Sequence, residues 1–191
     1  MKTHPRWHLK QLQLRTTALA SLTLTLNVLA GCTTTVPLNY SPSSVLSASG
    51  AVTVSDFDYL PASNGKVQPN QIKNTAMGSL LFDQNISVFF RDPVFKELRF
   101  VGVKVDNKDR MLTGEIRDLL IDDLGYSVDW TLRVLYRVKA TQTNQTLYES
   151  EKLTQRNTAK FVNTFGAMNE VIKLNIDEII KDPAFIKAIN D

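Results

Sequence analysis

The chain has 191 residues, of which 43% are hydrophobic and 21% charged, so it is long enough for one domain with a buried core, and its composition excludes a wholly disordered protein. The net charge of +3 comes from residues 1–31, which carry four basic residues and no acidic one and leave 18 basic against 19 acidic residues in the remainder. The isoelectric point of about 9.0 is therefore a property of the N-terminus and does not indicate a nucleic-acid partner.

The first 31 residues have the pattern of a targeting signal. A basic stretch, residues 1–15, is followed by the apolar stretch 16–30. The apolar stretch is too short to span a bilayer as a helix, but it matches the apolar region of a signal peptide. Residues 1–31 are therefore predicted to be a signal peptide that the mature protein lacks.

The end of this signal carries the sequence Leu29-Ala30-Gly31-Cys32, which resembles the lipobox of bacterial lipoproteins. The resemblance implies cleavage before Cys32 and acylation of that cysteine, and each buried methylene of an acyl chain contributes about 0.8 kcal/mol to anchoring. Thr33, directly after the cysteine, resembles the sorting context for the outer membrane. The alternative is an ordinary secretory signal with an incidental cysteine. Because Cys32 is the only cysteine, no intramolecular disulfide can form.

Residues 32–50 are predicted to be the lipidated cysteine and a flexible tether. After the cysteine this stretch is rich in Ser, Thr and Pro and contains no charged residue, a composition typical of linkers. Its residues Val36, Leu38 and Tyr40 leave a second arrangement open, in which the stretch docks on the domain. Residues 51–191 are predicted to form that single domain.

The first half of the domain is predicted to hold one strand and one helix. The strand lies within residues 51–60, and the pattern of residues 70–83 is ambiguous. Apolar residues recur at helical spacing over residues 86–101. Pro93 lies inside this stretch, so the helix is either kinked there or begins at Asp92 as its cap.

Three strands and a long helix follow. The strands are predicted over residues 110–121, 126–138 and 147–153, the helix over residues 165–180, and a terminal helix after Asp182. Both Asp-Pro pairs of the chain are interpreted as helix starts. The order β-α-β-β-β-α predicts an α+β fold, an antiparallel sheet of about four strands with two helices packed on one face.

Three carboxylates near the middle of the chain, Asp122, Asp123 and Asp129, belong either to the turn of a β-hairpin or to a cation or acid/base site. The hairpin puts the apolar residues of the two flanking strands on the same face, as a real strand pair requires. In this interpretation the aspartates are turn formers and Gly125 supplies a positive φ. The hairpin explains these residues without chemistry and is therefore our prediction.

The inventory of reactive side chains argues against catalysis. Both histidines, His4 and His8, lie in the predicted signal, and the only cysteine is the predicted acylation site. Without histidine and free thiol, the mature protein has no Ser-His-Asp or Cys-His centre and no ordinary zinc site. No EF-hand loop, phosphate loop or Gly-x-Gly-x-x-Gly pattern occurs. We therefore expect no enzyme activity, no metal site and no cofactor.

The strand over residues 126–138 has an aromatic stripe on one face and basic residues on the other. The stripe either belongs to the core or stacks on bases or sugars, and the core is the prediction. The basic face is either solvated or contacts anionic headgroups or glycans, and the solvated face is the prediction. The aromatic residues are Tyr126, Trp130 and Tyr136, and the basic residues are Arg133, Arg137 and Lys139.

The whole pattern resembles the uncharacterised bacterial lipoproteins of the YajG type and, more loosely, the auxiliary lipoproteins of ABC-type transport systems. The segments that carry the resemblance are GEIRDLLIDDLGYSVDWTLRVLYRV at 114–138 and NEVIKLNIDEIIKDPAFIKAI at 169–189. It implies a periplasm-facing envelope lipoprotein and transfers no active-site residue.

We therefore expect a non-catalytic binding or assembly module on the periplasmic face of the outer membrane of a Gram-negative cell. Its expected partners are the membrane, through the lipid anchor, and an envelope protein, but no nucleic acid. The alternative is an accessory lipoprotein of a transport system that carries an apolar ligand between sheet and helices.

Overall fold

The structure, a computed structural model, describes residues 39–76, 78, 80–160 and 164–191. Within these ranges the chain has a mixed α+β fold with a six-stranded sheet and four helices. The strands are β1 (Thr53–Tyr59), β2 (Gln71–Asn74), β3 (Leu80–Leu81), β4 (Arg110–Asp122), β5 (Ser127–Ala140) and β6 (Thr146–Ala159). The helices are α1 (Leu60–Ser63), α2 (Ile86–Phe100), α3 (Thr164–Ile180) and α4 (Pro183–Asn190).

β4 is the central strand of the sheet, whose order is β3-β2-β4-β5-β6 with β1 also paired to β4. β5 and β6 follow β4 as an antiparallel meander. β1 and β2 run parallel to β4 along its other edge, where β1 lies opposite residues 111–116 and β2 opposite residues 120–121.

The predicted α+β class is confirmed, but the sheet differs from the expected four antiparallel strands. β1 and β4 are parallel because their connection contains α2, and a helical crossover returns the chain in the same direction. The additional strands β2 and β3 form in residues 70–83, whose pattern is ambiguous in the sequence.

The helices pack on the sheet around one buried core. α2 packs on β1, while α3 and α4 pack on β5 and β6. The inner face of β5 contributes Trp130, Leu132, Val134, Tyr136 and Val138, each at most 2% exposed. Tyr126, predicted on the same face, is fully exposed, because it lies in the loop before β5 begins. None of the helices in the described ranges combines the length and the apolarity that a membrane crossing needs.

The two Asp-Pro pairs behave differently. Asp182 caps α4 as predicted, and its carboxylate accepts a hydrogen bond of 2.9 Å from the amide of Ala184. The predicted helix start at Asp92 is wrong, because α2 is helical on both sides of Pro93. The turns before Pro93 bury apolar residues in the core, which offsets the hydrogen bond that the proline cannot donate.

The segment before β1 lies against the helices. Of the two arrangements open for the stretch after Cys32, docking holds for residues 39–50: Tyr40 is buried in the core cluster, and the amide of Ala48 donates to the carbonyl of Val101 over 2.9 Å. Gly102, with φ of +106°, permits this approach, since a Cβ there would lie 2.8 Å from the carbonyl oxygen of Ala48. Val36 and Leu38 lie outside the described residues.

Candidate functional site

The predicted lipidation residues, Leu29, Ala30, Gly31 and Cys32, lie outside the described residues. The first described residue is Asn39, seven positions after Cys32. The docked stretch from there to Gly50, which we call the N-terminal segment, is therefore the described part of the chain nearest to the predicted anchor.

Glu97 of α2 holds the N-terminal segment through a buried carboxylate. Its side chain is 0% exposed, and it accepts hydrogen bonds from the hydroxyl of Tyr40 at 2.5 Å and from the amides of Ser43 and Ser44 at 3.0 and 3.1 Å. Three donors thus replace the water that the carboxylate loses on burial. Burial, and then the hydrogen bond to Glu97, raise the pKa of Tyr40 well above its ordinary value. The tyrosine therefore remains a donor at neutral pH.

α3 holds the same segment from its other side. The hydroxyl of Ser44 donates to Asp177 over 2.6 Å, and the ammonium of Lys173 pairs with the second oxygen of that carboxylate, also at 2.6 Å. Nearer the N-terminus of α3, the side-chain amide of Asn169 donates to the carbonyl of Asn39 over 3.0 Å. The segment is thus fixed to both helices by buried and half-buried polar contacts.

Glu97 is not among the residues predicted from the sequence, although its position in the helical pattern indicates that it is buried. Glu97 stands four residues after Pro93 and one before Leu98, on the apolar face of the predicted helix. A carboxylate at such a position requires donors from elsewhere in the chain, and the uncharged stretch after Cys32 supplies them.

The outer side of α2 carries a row of exposed and half-buried residues next to this segment, which we call the α2 stripe. It consists of Val88, Asp92, Phe95, Lys96, Arg99 and Phe100. The residues at 88, 92, 95 and 99 follow each other at helical spacing, so they share one face. Between the stripe and Pro42 of the N-terminal segment lies a groove of about 500 Å³.

The α2 stripe combines aromatic surface with positive charge. Phe100 is 59% exposed. Lys96 pairs with Asp92 at 2.7 Å and also donates to the carbonyl of Tyr40 over 3.2 Å. Arg99 is exposed, in the last turn of the helix, and no carboxylate of the described ranges pairs with it. The three charged residues of the stripe sum to +1.

The face of the sheet that the helices leave uncovered carries ion pairs. Arg133, predicted there, pairs with Asp118 at 2.9 Å and with Glu151 at 3.2 Å. Arg137 pairs with Glu115 at 2.6 Å and also with Glu149, and its hydrogen bond lowers the pKa of the Glu115 carboxyl. These cations already have carboxylate partners, which favours the solvated interpretation of this face.

The carboxylates at the β4–β5 turn have separate partners. Asp122 accepts from the hydroxyl of Thr75 at 2.7 Å, Asp123 pairs with Lys160 at 3.3 Å, and Asp129 accepts from the amide of Asn157 at 2.7 Å. No group of three potential metal ligands converges anywhere in the part of the chain that the structure describes. The arrangement is that of a hairpin.

The register of this hairpin agrees with the prediction. Leu119 lies opposite Leu132, and Ile121 opposite Trp130, so the apolar residues of both strands share the buried face. The expected positive φ at Gly125 is wrong. Four residues, 123–126, separate β4 from β5, and a loop of this length is commonly built on a turn that needs no positive φ.

A second concave region lies at the rim of the sheet, where β1 ends and β2 begins. This rim cleft has a volume of about 520 Å³, with Tyr59, Pro61 and Val67 among the residues of its wall. Lys66 and Lys73 also line it, and both are exposed to solvent. Exposed lysines of this kind are usually solvated.

Comparison with known proteins identifies the fold and no function. No protein-family model matches the chain, and no curated protein matches it in sequence. The fold is similar to that of protein XCC0632 from Xanthomonas campestris, of family DUF330, with a TM-score of 0.61 and 11% identity over 81% of this chain and 96% of that one. The hypothetical protein CT253 from Chlamydia trachomatis has a TM-score of 0.50 and 11% identity over 74% of this chain and 99% of that one. At such identities the similarity concerns the fold alone.

Proposed function

We propose that the protein is a non-catalytic lipoprotein of the Gram-negative envelope, anchored in the outer membrane through acylated Cys32 and facing the periplasm as a binding or assembly module. The observation that carries this proposal is the sequence Leu29-Ala30-Gly31-Cys32 at the end of a basic and then apolar N-terminus. The expected partner is a protein of the envelope.

The structure supports a module whose anchored end is integrated into the fold. The N-terminal segment begins seven residues after Cys32 and is bound to α2 and α3 through Glu97 and Asp177. These contacts connect the predicted anchor to the core through a short stretch of chain. The resemblance to YajG-type lipoproteins implies an envelope lipoprotein and assigns no reaction.

Acylation is tested by replacing Cys32 with Ala. The variant is expected to leave the membrane fraction or to retain its signal, whereas Thr33→Ser, which keeps the cysteine, is expected to stay anchored. Intact-mass spectrometry of the wild type should show acyl chains on Cys32. An unmodified cysteine would overturn the proposal, and an acylated protein in the inner-membrane fraction would overturn only the sorting.

The position of Trp130 favours the module over a carrier of apolar ligands. A carrier with its ligand between sheet and helices needs an open space there. Trp130 is 2% exposed, belongs to the core cluster, and donates its indole N–H to the hydroxyl of Thr158 over 3.1 Å. The indole thus has the contacts of a core residue.

In a dry core, Trp130→Ala should lower the free energy of unfolding by about 3–5 kcal/mol. Leu153→Ala, on the exposed side of β6, should cost less than about 1 kcal/mol. Thermal melts with and without phospholipid measure both. If phospholipid stabilises the wild type, and the Trp130 variant is stable but loses that stabilisation, the carrier replaces the module.

A further inference from the structure

The docked N-terminal segment limits how far the domain can lie from its anchor. Asn39 lies seven positions after Cys32, and a fully extended chain spans at most about 3.6 Å per residue. Asn39 therefore lies within roughly 25 Å of an acylated Cys32. The surface around Asn39 is therefore the part of the domain that such an anchor holds nearest to the lipid headgroups.

The α2 stripe is next to this point. The carbonyl of Tyr40 accepts from Lys96, and Pro42 forms one wall of the groove whose other wall is the stripe. The exposed surface immediately around the start of the described chain therefore includes Phe95, Phe100 and Arg99.

The chemistry of the stripe is that of a surface which contacts a charged lipid interface. Aromatic side chains partition to the boundary between headgroups and acyl chains, and lysine and arginine bind anionic headgroups while their stems cover apolar surface. Phe95 and Phe100 supply the aromatic surface, and Arg99 supplies the cation, whereas Lys96 is already paired with Asp92. One helix face thus presents both.

Ion pairing distinguishes the α2 stripe from the face of the sheet that the helices leave uncovered. There, Arg117, Arg133 and Arg137 each pair with two carboxylates, so their charges are neutralised within the protein. On the stripe, Arg99 has no such partner among the residues that the structure describes. An external anion would complete the pairing.

We infer that the α2 stripe, together with the groove beside Pro42, contacts the anionic phospholipid headgroups of the membrane that holds the anchor. The inference rests on the proposed function in one respect, the acylated Cys32 that limits the reach. It adds an orientation: the outer side of α2 faces the bilayer, and the ion-paired face of the sheet faces away from it.

The test uses the chain from residue 32 onward with Cys32→Ser, so that binding does not depend on acylation. Flotation is measured with vesicles of phosphatidylglycerol and phosphatidylethanolamine, and with vesicles of phosphatidylcholine alone. We expect binding only to the anionic vesicles. Arg99→Glu should weaken it about thirtyfold, since it changes the charge by two units near the surface and each unit contributes roughly fivefold. Phe100→Ser should also weaken it.

Two controls separate this surface from general charge and general hydrophobicity. Lys66→Glu changes the net charge by the same amount in the rim cleft, and Tyr126→Ser removes an aromatic residue at the β4–β5 turn that is even more exposed than Phe100. Both should bind like the parent chain, and circular dichroism melts verify that every variant is folded.

Absent flotation of the parent chain, equal flotation with neutral vesicles, or equal losses in the controls would each overturn the inference. None of these results bears on the acyl chains of the wild type, which intact-mass spectrometry measures separately. A wrong assignment of the membrane-facing surface can therefore be distinguished from a wrong assignment of the lipid anchor.

Discussion

Tyr40 and Glu97 form the contact on which the docking of the N-terminal segment depends. A buried carboxylate with neutral donors is stable only while its donors remain, because an unsatisfied charge in the interior is costly. The hydroxyl of Tyr40 is the one side-chain donor among the three described hydrogen bonds to Glu97, and the other two come from backbone amides. The hydroxyl of Tyr40 can therefore be removed by a substitution that leaves the two backbone donors in place.

Tyr40→Phe should lower the free energy of unfolding by about 1.5–3 kcal/mol, because a hydrogen bond to a charged group is lost. The matched control, Tyr126→Phe, removes a hydroxyl from a fully exposed ring and should change stability by less than about 0.5 kcal/mol. Urea denaturation of both variants gives the comparison. Equal effects at the two positions would show that the carboxylate does not need Tyr40.

At the scale of elements, the β4–β5 hairpin shows what the aspartates do. Asp122 accepts from Thr75 and Asp123 pairs with Lys160, so each carboxylate connects the turn to a neighbouring loop. Asparagine keeps an acceptor oxygen at each position and is also a good turn former.

Asp122→Asn combined with Asp123→Asn should lower the free energy of unfolding by about 1 kcal/mol or less. Thermal melts measure the change, and titration calorimetry of the wild type with Ca²⁺ and Mg²⁺ provides the second readout. Cation binding by the wild type that the double variant lacks would contradict the hairpin interpretation.

The elements that sequence predicts well are those with a strong local pattern. The alternation of apolar residues gives the register of β4 and β5 correctly, since a slip of one residue would expose Trp130 and Leu132. The direction of β1 could not be predicted in this way, because parallel pairing depends on the packing of α2 rather than on a local pattern. The helix start predicted at Asp92 is wrong for a related reason, because burial of the turns around Pro93 outweighs the local preference of proline for the first turn of a helix.

At the candidate site, the docking of the N-terminal segment could not be predicted either, because it depends on residues far away in the sequence. An uncharged Ser, Thr and Pro composition favours a tether, and only the buried acceptors on α2 and α3 make docking favourable. Glu97 and Asp177 lie 54 and 133 residues from their serine partners, at distances over which a single sequence gives no pairing information.

For the molecule as a whole, four of the five tyrosines are held in the neutral form. Burial is the main cause that raises the pKa of each above its ordinary value. They are Tyr40, Tyr59, Tyr136 and Tyr148. Below about pH 10 these tyrosines are protonated in both the folded and the unfolded chain, so they do not alter stability.

Above that pH the unfolded chain loses these protons while the folded chain keeps them, so the free energy of unfolding should fall as pH rises. The slope should reach about 5 kcal/mol per pH unit for four tyrosines. Urea denaturation between pH 8 and pH 11 measures it, with tyrosinate absorbance and far-ultraviolet circular dichroism expected to change together. In Tyr40→Phe the slope should be about a quarter smaller. Independence of pH in this range would contradict the burial of these hydroxyls.

Under the proposed acylation of Cys32, the contacts of Glu97 and Asp177 with the N-terminal segment also limit the distance between membrane and domain. With the segment docked, the stretch of chain between Cys32 and the domain ends at Asn39 and spans at most roughly 25 Å. If residues 39–50 were free, the same chain would extend over about 65 Å, from Cys32 to Gly50. Docking thus shortens this stretch of chain by more than half, so that, with Cys32 acylated as proposed, a few hydrogen bonds determine how far from the membrane the domain extends.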